Sequence, residues 1–258
     1  METAQLFFRA GRLQHREEAE DALQGYLSAL SHNGQILGDR SPMAKMRGGY
    51  LVVVSLPRND ALDARSDNRW VRRALRQLLA VGIQQPMIRR LGREPESRLP
   101  CVCPRRRFLV LFAHFLSDES PIRCGGCFGP VPLYTTPSLD GSGNHQGLLS
   151  WQATYQAMDW LHVGSGAGER YGHEQMARHD SALSKEGRDL AKRLEKRIRR
   201  PVFYCLMKHY GLSNRKERER RCPSCKRAWL LPERLHNIFD FSCTRCRLLS
   251  NVAFDVRM

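Results

Sequence analysis

Near the C-terminus, Cys222 and Cys225 are followed by Cys243 and Cys246, two Cys-x-x-Cys knuckles seventeen residues apart. Thiols three positions apart can face one point, and a gap of that length holds a hairpin able to bring the pairs together around a tetrahedral ion. The spacing is that of a zinc ribbon. Four thiolates fill the coordination sphere of Zn²⁺ and leave no place for a catalytic water, so one structural zinc ion is expected here. Between the knuckles, residues 227–231 read as a strand and 238–241 as its return, with Pro232 and Asn237 marking the loop; residues 248–254 read as a third strand. So small a lobe has too little core to stand alone. Zinc-finger peptides draw about 10–16 kcal/mol of apparent metal-binding free energy into folding, and removal of the metal is expected to melt residues 220–258.

The run CPSCKRAWLL at 222–231 and the run HNIFDFSCTRCRLLSN at 236–251 resemble the ending of an uncharacterised bacterial family, a domain of unknown function described as zinc-ribbon-containing and suggested to bind nucleic acid. Other stretches are similar too: Asn68-Arg69-Trp70-Val71, Pro121-Ile122-Arg123-Cys124-Gly125, Pro132-Leu133-Tyr134, Trp151-Gln152, and the span from Gly187 through Pro201 to Tyr204. The likeness covers nearly the whole chain. It implies a zinc and supplies no mechanism. Cys127, with Cys101 and Cys103, departs from the family pattern, which does not require them.

At 258 residues and 41% hydrophobic, the chain can bury one large core or two modest ones, with the ribbon as an appendage. No apolar run approaches the ~20 residues needed to cross a bilayer, and the opening METAQLFFRAGR lacks the basic start and apolar stretch of a secretory signal. A cytoplasmic protein that inserts in no membrane is expected. Nine cysteines, an odd count with two pairs at metal spacing, fit a reducing compartment better than a disulfide scaffold.

The formal net charge of +16 is unevenly spread. Residues 185–227 carry sixteen Lys or Arg against five Asp or Glu, and residues 65–107 carry twelve against three, so the remainder is mildly acidic. Two basic blocks suit a polyanion or an acidic protein face.

Read along the chain, residues 5–8 form a strand, 17–30 a helix, 35–38 and 50–56 two strands, 68–81 a helix ending at Gly82, and 87–91 a strand. Val52, Val53 and Val54 are too continuously apolar for a half-wet strand, which places 50–56 centrally. This order is ferredoxin-like, and residues 1–98 are expected to form a small sandwich in an α+β protein. A mixed strand, loop and helical region follows at 99–213: a strand at 108–115 extending the first sheet, loop at 121–143, a helix at 148–161 and a longer one at 170–200 broken by Pro201. Residues 202–210 are apolar and of either type. A charged linker at 214–221 leads into the ribbon, so the third region runs from 214 to 258.

Each candidate site has a sharp and a plain reading. Lys192, Arg193, Lys196, Arg197, Arg199 and Arg200 project from the apolar stripe of their helix and suit a phosphate backbone, or they are a solvated face with cations near a helix C-terminus. Arg221, Lys226, Arg227, Arg245 and Arg247 surround the ribbon cysteines and suit nucleic acid, or they offset the formal charge of a four-thiolate zinc. Trp229, Phe239 and Phe241 either stack on bases or cover the metal. Cys101 and Cys103, sharing one strand face, with Cys124 and Cys127 around Gly125-Gly126, either hold a second metal or are free thiols.

Asp159, three residues before His162 on a helix, together with Cys124, or else His173 and His179, would be needed for chemistry. No phosphate-binding glycine loop, His-Glu-x-x-His or nucleophile elbow accompanies them. The sequence therefore reads as a non-enzymatic binding protein whose partner is DNA or RNA. The alternative is an acidic protein, met by an immunity protein that neutralises a toxin or by an accessory factor of transcription or translation.

Overall fold

A computed structural model describes residues 1–11, 16–38, 41–164 and 166–257. They divide into two units, the first of Met1–Pro100 with Asp118–Ser120 and Gly129–Gln146, the second of Cys101–Ser117, Pro121–Phe128 and Gly147–Met258.

In the first unit, strand β1 (Glu2–Arg9) turns Ala4, Leu6 and Phe8 inward at the period of two that a pleated strand imposes. Helix α1 (Arg16–Asn33) lays Ala19, Leu23, Tyr26, Leu27 and Leu30 against them. Strands β2 (Met43–Met46) and β3 (Gly49–Leu56) follow, then helix α2 (Arg69–Ala80) and strand β4 (Met87–Arg93). Asn68 starts α2 by accepting the backbone N–H groups of Trp70 and Val71, both at 2.9 Å, which satisfies two of the donors a helix start leaves open. Gly82, with φ of +84°, takes the left-handed conformation just beyond its end.

The sheet order β2-β3-β1-β4, antiparallel throughout, with two helices in the sequence strand–helix–strand–strand–helix–strand, is the ferredoxin-like α+β sandwich. The strand expected at 35–38 is reduced to one bridge, Leu37 to Ser55, and the strand that pairs with β3 lies later, at Met43–Met46. Interior β3 alternates after all: Tyr50, Val52, Val54 and Leu56 are buried, while Leu51, Val53 and Ser55 are half-buried on the other face.

The second unit is built on strands β5 (Leu109–Leu111) and β6 (Ile122–Cys124), helices α3 (Gln146–Gly164), α4 (Glu169–Ala177) and α5 (Ala182–Ile198), strand β7 (Val202–Leu206), the short helix α6 (Asn214–Arg218), and strands β8 (Leu230–Leu235), β9 (Phe239–Cys243) and β10 (Leu248–Ser250). One sheet holds all six strands in the order β6-β5-β7-β10-β9-β8. β7 pairs in parallel with both β5 and β10, and the other pairings are antiparallel. A strand flanked on both sides by parallel neighbours is buried on both faces, and every residue of β7 is buried. Tyr204 meets Trp151 of α3 edge-on at 5.9 Å, and its neighbour Phe203, on the opposite face, meets Phe108 at 5.3 Å.

Several expectations are corrected here. The strand expected at 108–115 is three residues long and belongs to this second sheet, since Leu109 pairs with Val202 and Cys124. The single helix expected at 170–200 is two. Arg178 leaves α4 in an extended conformation, and Ser181 caps α5 by accepting the Ser184 N–H at 3.1 Å. The stretch 214–221 is no plain charged linker: it forms α6, and Glu217 is buried between Lys208 and Arg220. Pro232 lies inside β8, and the hairpin turns instead at His236 and Asn237, whose φ of +55° and +60° make the paired left-handed turn that suits tight hairpins.

Helix α5 approaches β7 through Gly187, where an added Cβ would stand 2.2 Å from the Tyr204 ring and 2.7 Å from Trp151 Nε1. Gly187→Ala should therefore destabilise the second unit by about 1–3 kcal/mol. Thermal denaturation followed by tryptophan fluorescence checks this, and an unchanged midpoint would show that α5 does not sit on β7 as described.

Candidate metal centres

The ribbon quartet is assembled by two turns of the same kind. In the first, the Lys226 N–H donates to the Cys222 carbonyl at 2.8 Å and the Cys222 N–H to the Arg227 carbonyl at 2.9 Å. Lys226 takes a left-handed φ of +61° to close it. In the second, Cys243 ends β9, Cys246 follows in the turn, and Arg247, at φ +54°, leads into β10. All four sulfurs lie within 4.8 Å of one another, and Cys225 and Cys243 are 3.6 Å apart. That separation is far beyond a disulfide bond of about 2.05 Å. It is close to the ~3.8 Å that thiolates each ~2.3 Å from one tetrahedral ion would show.

The Arg227 backbone N–H draws Cys225 down to about 7, whereas burial pushes Cys243 up to about 12 and also raises Cys222. A divalent ion held by all four sulfurs would take the place of their protons.

Around the quartet the ribbon is tied to the sheet by buried polar groups. Asp240, 3% exposed, accepts from Arg234 at 2.8 Å, Arg257 at 2.9 Å and the Val252 N–H at 2.7 Å. Trp229, also 3% exposed, donates its indole N–H to the Arg220 carbonyl at 3.0 Å and packs on Phe241 at 5.0 Å. Burial removes Trp229 from the partner-binding residues expected of it, and Phe239 and Phe241, both fully buried, likewise cover the core and face no base.

A second quartet, Cys101, Cys103, Cys124 and Cys127, also has its sulfurs within 4.8 Å of one another. One ion was expected, and the geometry offers places for two. Burial works upward on the Cys101 thiol, and the Arg106 guanidinium, 3.3 Å from its sulfur, with neighbouring donors brings it to about 7.

The basic residues divide. Lys192 of α5 and Arg245 and Arg247 of the second ribbon knuckle line one cavity of about 330 Å³ beside Cys246, together with Arg188, Glu195 and Tyr204. Arg247 is held there by Glu195, with its Nε 3.1 Å from the carboxylate. Arg193, Lys196, Arg197, Arg199 and Arg200 are exposed farther along and just beyond α5, and Arg221, Lys226 and Arg227 are exposed around the first knuckle; none of these enters the cavity. Arg188 is a residue the sequence reading missed. It falls one turn before Lys192, at the i, i+4 spacing that puts both on one helix face.

The groups considered for chemistry are dispersed. The Asp159 carboxylate accepts the Phe115 N–H at 3.0 Å, and burial raises its pKa. Cys124 belongs to the second quartet. His162 stands 4.0 Å from His209, ring centre to ring centre, and 5.8 Å from His173. Burial lowers the pKa of His209 to about 4 and lowers that of His173 as well. His179 is not on a helix; it lies in the break between α4 and α5.

Residues 103–207 match the family described as Domain of unknown function (DUF2310). Residues 1–92 and 211–256 match Domain of unknown function (DUF8589) and Domain of unknown function (DUF8594). An uncharacterized protein of Haemophilus influenzae is 31% identical over 96% of this chain and 97% of its own length. Another of the same organism and description is 37% identical over 57% of this chain and 71% of its own. A solved structure, a proposed antibiotic biosynthesis monooxygenase of Deinococcus radiodurans, is similar over 36% of this chain and 93% of its own at 14% identity and a TM-score of 0.27.

No helix among the described residues is long and apolar enough to cross a membrane. Because β10 joins the ribbon to β7, metal removal should be felt beyond residues 220–258. Treatment with a strong chelator is expected to speed amide exchange across Phe239–Cys243, Leu248–Ser250 and Val202–Leu206 while β1 and β3 keep their protection. Exchange unchanged in β9 and β10 would contradict it.

Proposed function

The chain belongs to the bacterial family that carries Domain of unknown function (DUF2310), and we propose that it is a non-enzymatic, cytoplasmic nucleic-acid-binding protein whose zinc ribbon presents one wall of a phosphate-binding cleft. The observation that carries this reading is the cavity beside Cys246, where Arg188 and Lys192 of α5 face Arg245 and Arg247 of the knuckle. The one carboxylate there, Glu195, is engaged by Arg247, so the remaining cations face an incoming anion without a competing charge.

The physical logic is that of backbone recognition. A four-thiolate zinc at Cys222, Cys225, Cys243 and Cys246 fixes Arg245 and Arg247 on a rigid turn, and helix α5 fixes Arg188 and Lys192 opposite. A phosphate entering the cleft exchanges its counterions for Arg188, Lys192 and Arg245. The exposed cations Arg193, Lys196, Arg197, Arg199 and Arg200 extend the same positive field along a nucleic-acid strand, and the net charge of +16 raises the encounter rate. Aromatic stacking has no part in this proposal, because Trp229 is buried. No base-edge readout is invoked, and phosphate contacts alone set register without reading sequence.

Fluorescence anisotropy with labelled single-stranded DNA, duplex DNA and RNA tests the reading. Affinity should fall steeply with salt, with a log–log slope of about −0.9 per phosphate neutralised on duplex DNA. Lys192→Ala combined with Arg245→Ala should weaken binding at low salt and flatten the slope by about two. Absence of binding at low salt, or binding indifferent to salt, would overturn the proposal. So would recovery from cells of an acidic protein in stoichiometric amount with no nucleic acid, which is the outcome a protein-neutralising role requires.

A further inference from the structure

We propose that Cys101, Cys103, Cys124 and Cys127 hold a second zinc ion, structural like the first and independent of any nucleic-acid role.

The proposal rests on a local geometry that occurs three times in the second unit. After each Cys-x-x-Cys, the next residue is forced into the left-handed region: Lys226 at φ +61°, Arg247 at +54° and Phe128 at +58°. In the first ribbon knuckle, the N–H of that residue closes the turn onto the carbonyl of the leading cysteine, at 2.8 Å from Lys226 to Cys222. The same bond runs from Phe128 to Cys124 at 2.9 Å. A left-handed conformation costs a non-glycine residue roughly 1–2 kcal/mol, and a bulky aromatic has no local reason to adopt it. The turn at Cys124–Cys127 is thus built to the plan of the ribbon knuckles, and its two sulfurs lie within 4.8 Å of each other.

The rest of the pocket is adapted to sulfur. Gly125 has no room for a side chain, since a Cβ there would lie 2.3 Å from the Phe108 ring. The Gly126 N–H points at Cys124 Sγ from 3.4 Å, a donor that stabilises thiolate over thiol. Arg106 Nε stands 3.3 Å from Cys101 Sγ, and a guanidinium in that place offsets the formal −2 of a zinc tetrathiolate. Cys101 and Cys103 are two apart, as residues sharing one face of an extended chain are. They reach Cys124 because β5 and β6 pair antiparallel, with Leu109 opposite Cys124. No disulfide joins any of the four. Four sulfurs complete a tetrahedral sphere, so this ion would have no open position and would do no chemistry on a substrate.

On this assignment, the six-stranded sheet is clasped on both sides. The ribbon zinc ties the β9–β10 turn, and the second zinc ties the chain entering β5 to the end of β6. Each binding step displaces the thiol protons to solvent as the metal takes their place.

Metal analysis of the full-length chain by plasma mass spectrometry should find two zinc ions per chain. Cys103→Ser with Cys127→Ser should leave one, and Cys225→Ser with Cys246→Ser should also leave one. Should either variant fail to fold, the unaltered chain decides: mercurial titration should consume eight metal-bound thiols and release two zinc equivalents. Replacement of the metal by Co²⁺ should give tetrathiolate absorption that saturates at two equivalents. One zinc per chain, with Cys103 and Cys127 alkylated by iodoacetamide in the folded protein, would overturn the proposal. So would a disulfide mapped within the quartet, or iron in place of the second zinc.

Discussion

Parallel pairing of β10 with β7 is the constraint on which the second unit depends. Leu248, Leu249 and Ser250 lie beside Tyr204, Cys205 and Leu206, and the Tyr204 N–H donates to the Arg247 carbonyl at 2.8 Å. Arg247 is the residue that closes the second ribbon knuckle. The turn that presents two of the four ribbon cysteines is therefore hydrogen-bonded to a strand buried at every residue, and the cysteine quartet is continuous with the core. This arrangement also brings Arg245 and Arg247 to α5, because the helix that covers β7 is the one that carries Arg188 and Lys192.

Much of this was legible in the residues, for identifiable reasons. The strand read at residues 5–8 and the apolar stripe Ala19, Leu23, Tyr26, Leu27, Leu30 of α1 are local patterns that survive folding, and they begin the ferredoxin-like order. The ribbon cysteines were readable as a group because two Cys-x-x-Cys pairs at this spacing can bring four sulfurs to one point, and their sulfurs do lie within 4.8 Å of one another. The break between α4 and α5 carried a signal that the apolar stripe overrode: Asp180-Ser181 is a pair of helix-starting residues, and Ser181 does cap α5. Leu190, Leu194 and Met176 keep a common spacing through the break, so periodicity alone sees one helix.

What the sequence hid is non-local. Nothing in residues 108–115 says which sheet they join; their neighbour Val202 lies far along the chain. The same holds for the second quartet. Cys-x-Cys followed by a distant Cys-x-x-Cys is a weak pattern, and only the antiparallel β5–β6 pair brings the halves together. Trp229 was ambiguous because an indole serves equally as a stacking platform or as core. Its N–H bond to Arg220 and its contact with Phe241 decide for core. The cavity beside Cys246 needs both a helix and a knuckle, so nothing local to its helix sets Arg188 apart from the other cations there.

The central claim is that the ribbon sulfurs share one ion and so make the Arg245–Arg247 turn rigid. X-ray absorption at the zinc edge of the metal-loaded chain tests it most directly. The account predicts a shell of four sulfur scatterers at about 2.3 Å with no nitrogen or oxygen ligand. A shell containing nitrogen or oxygen, or a chain in which Cys225 and Cys243 are joined as a disulfide and no zinc is retained, would contradict it.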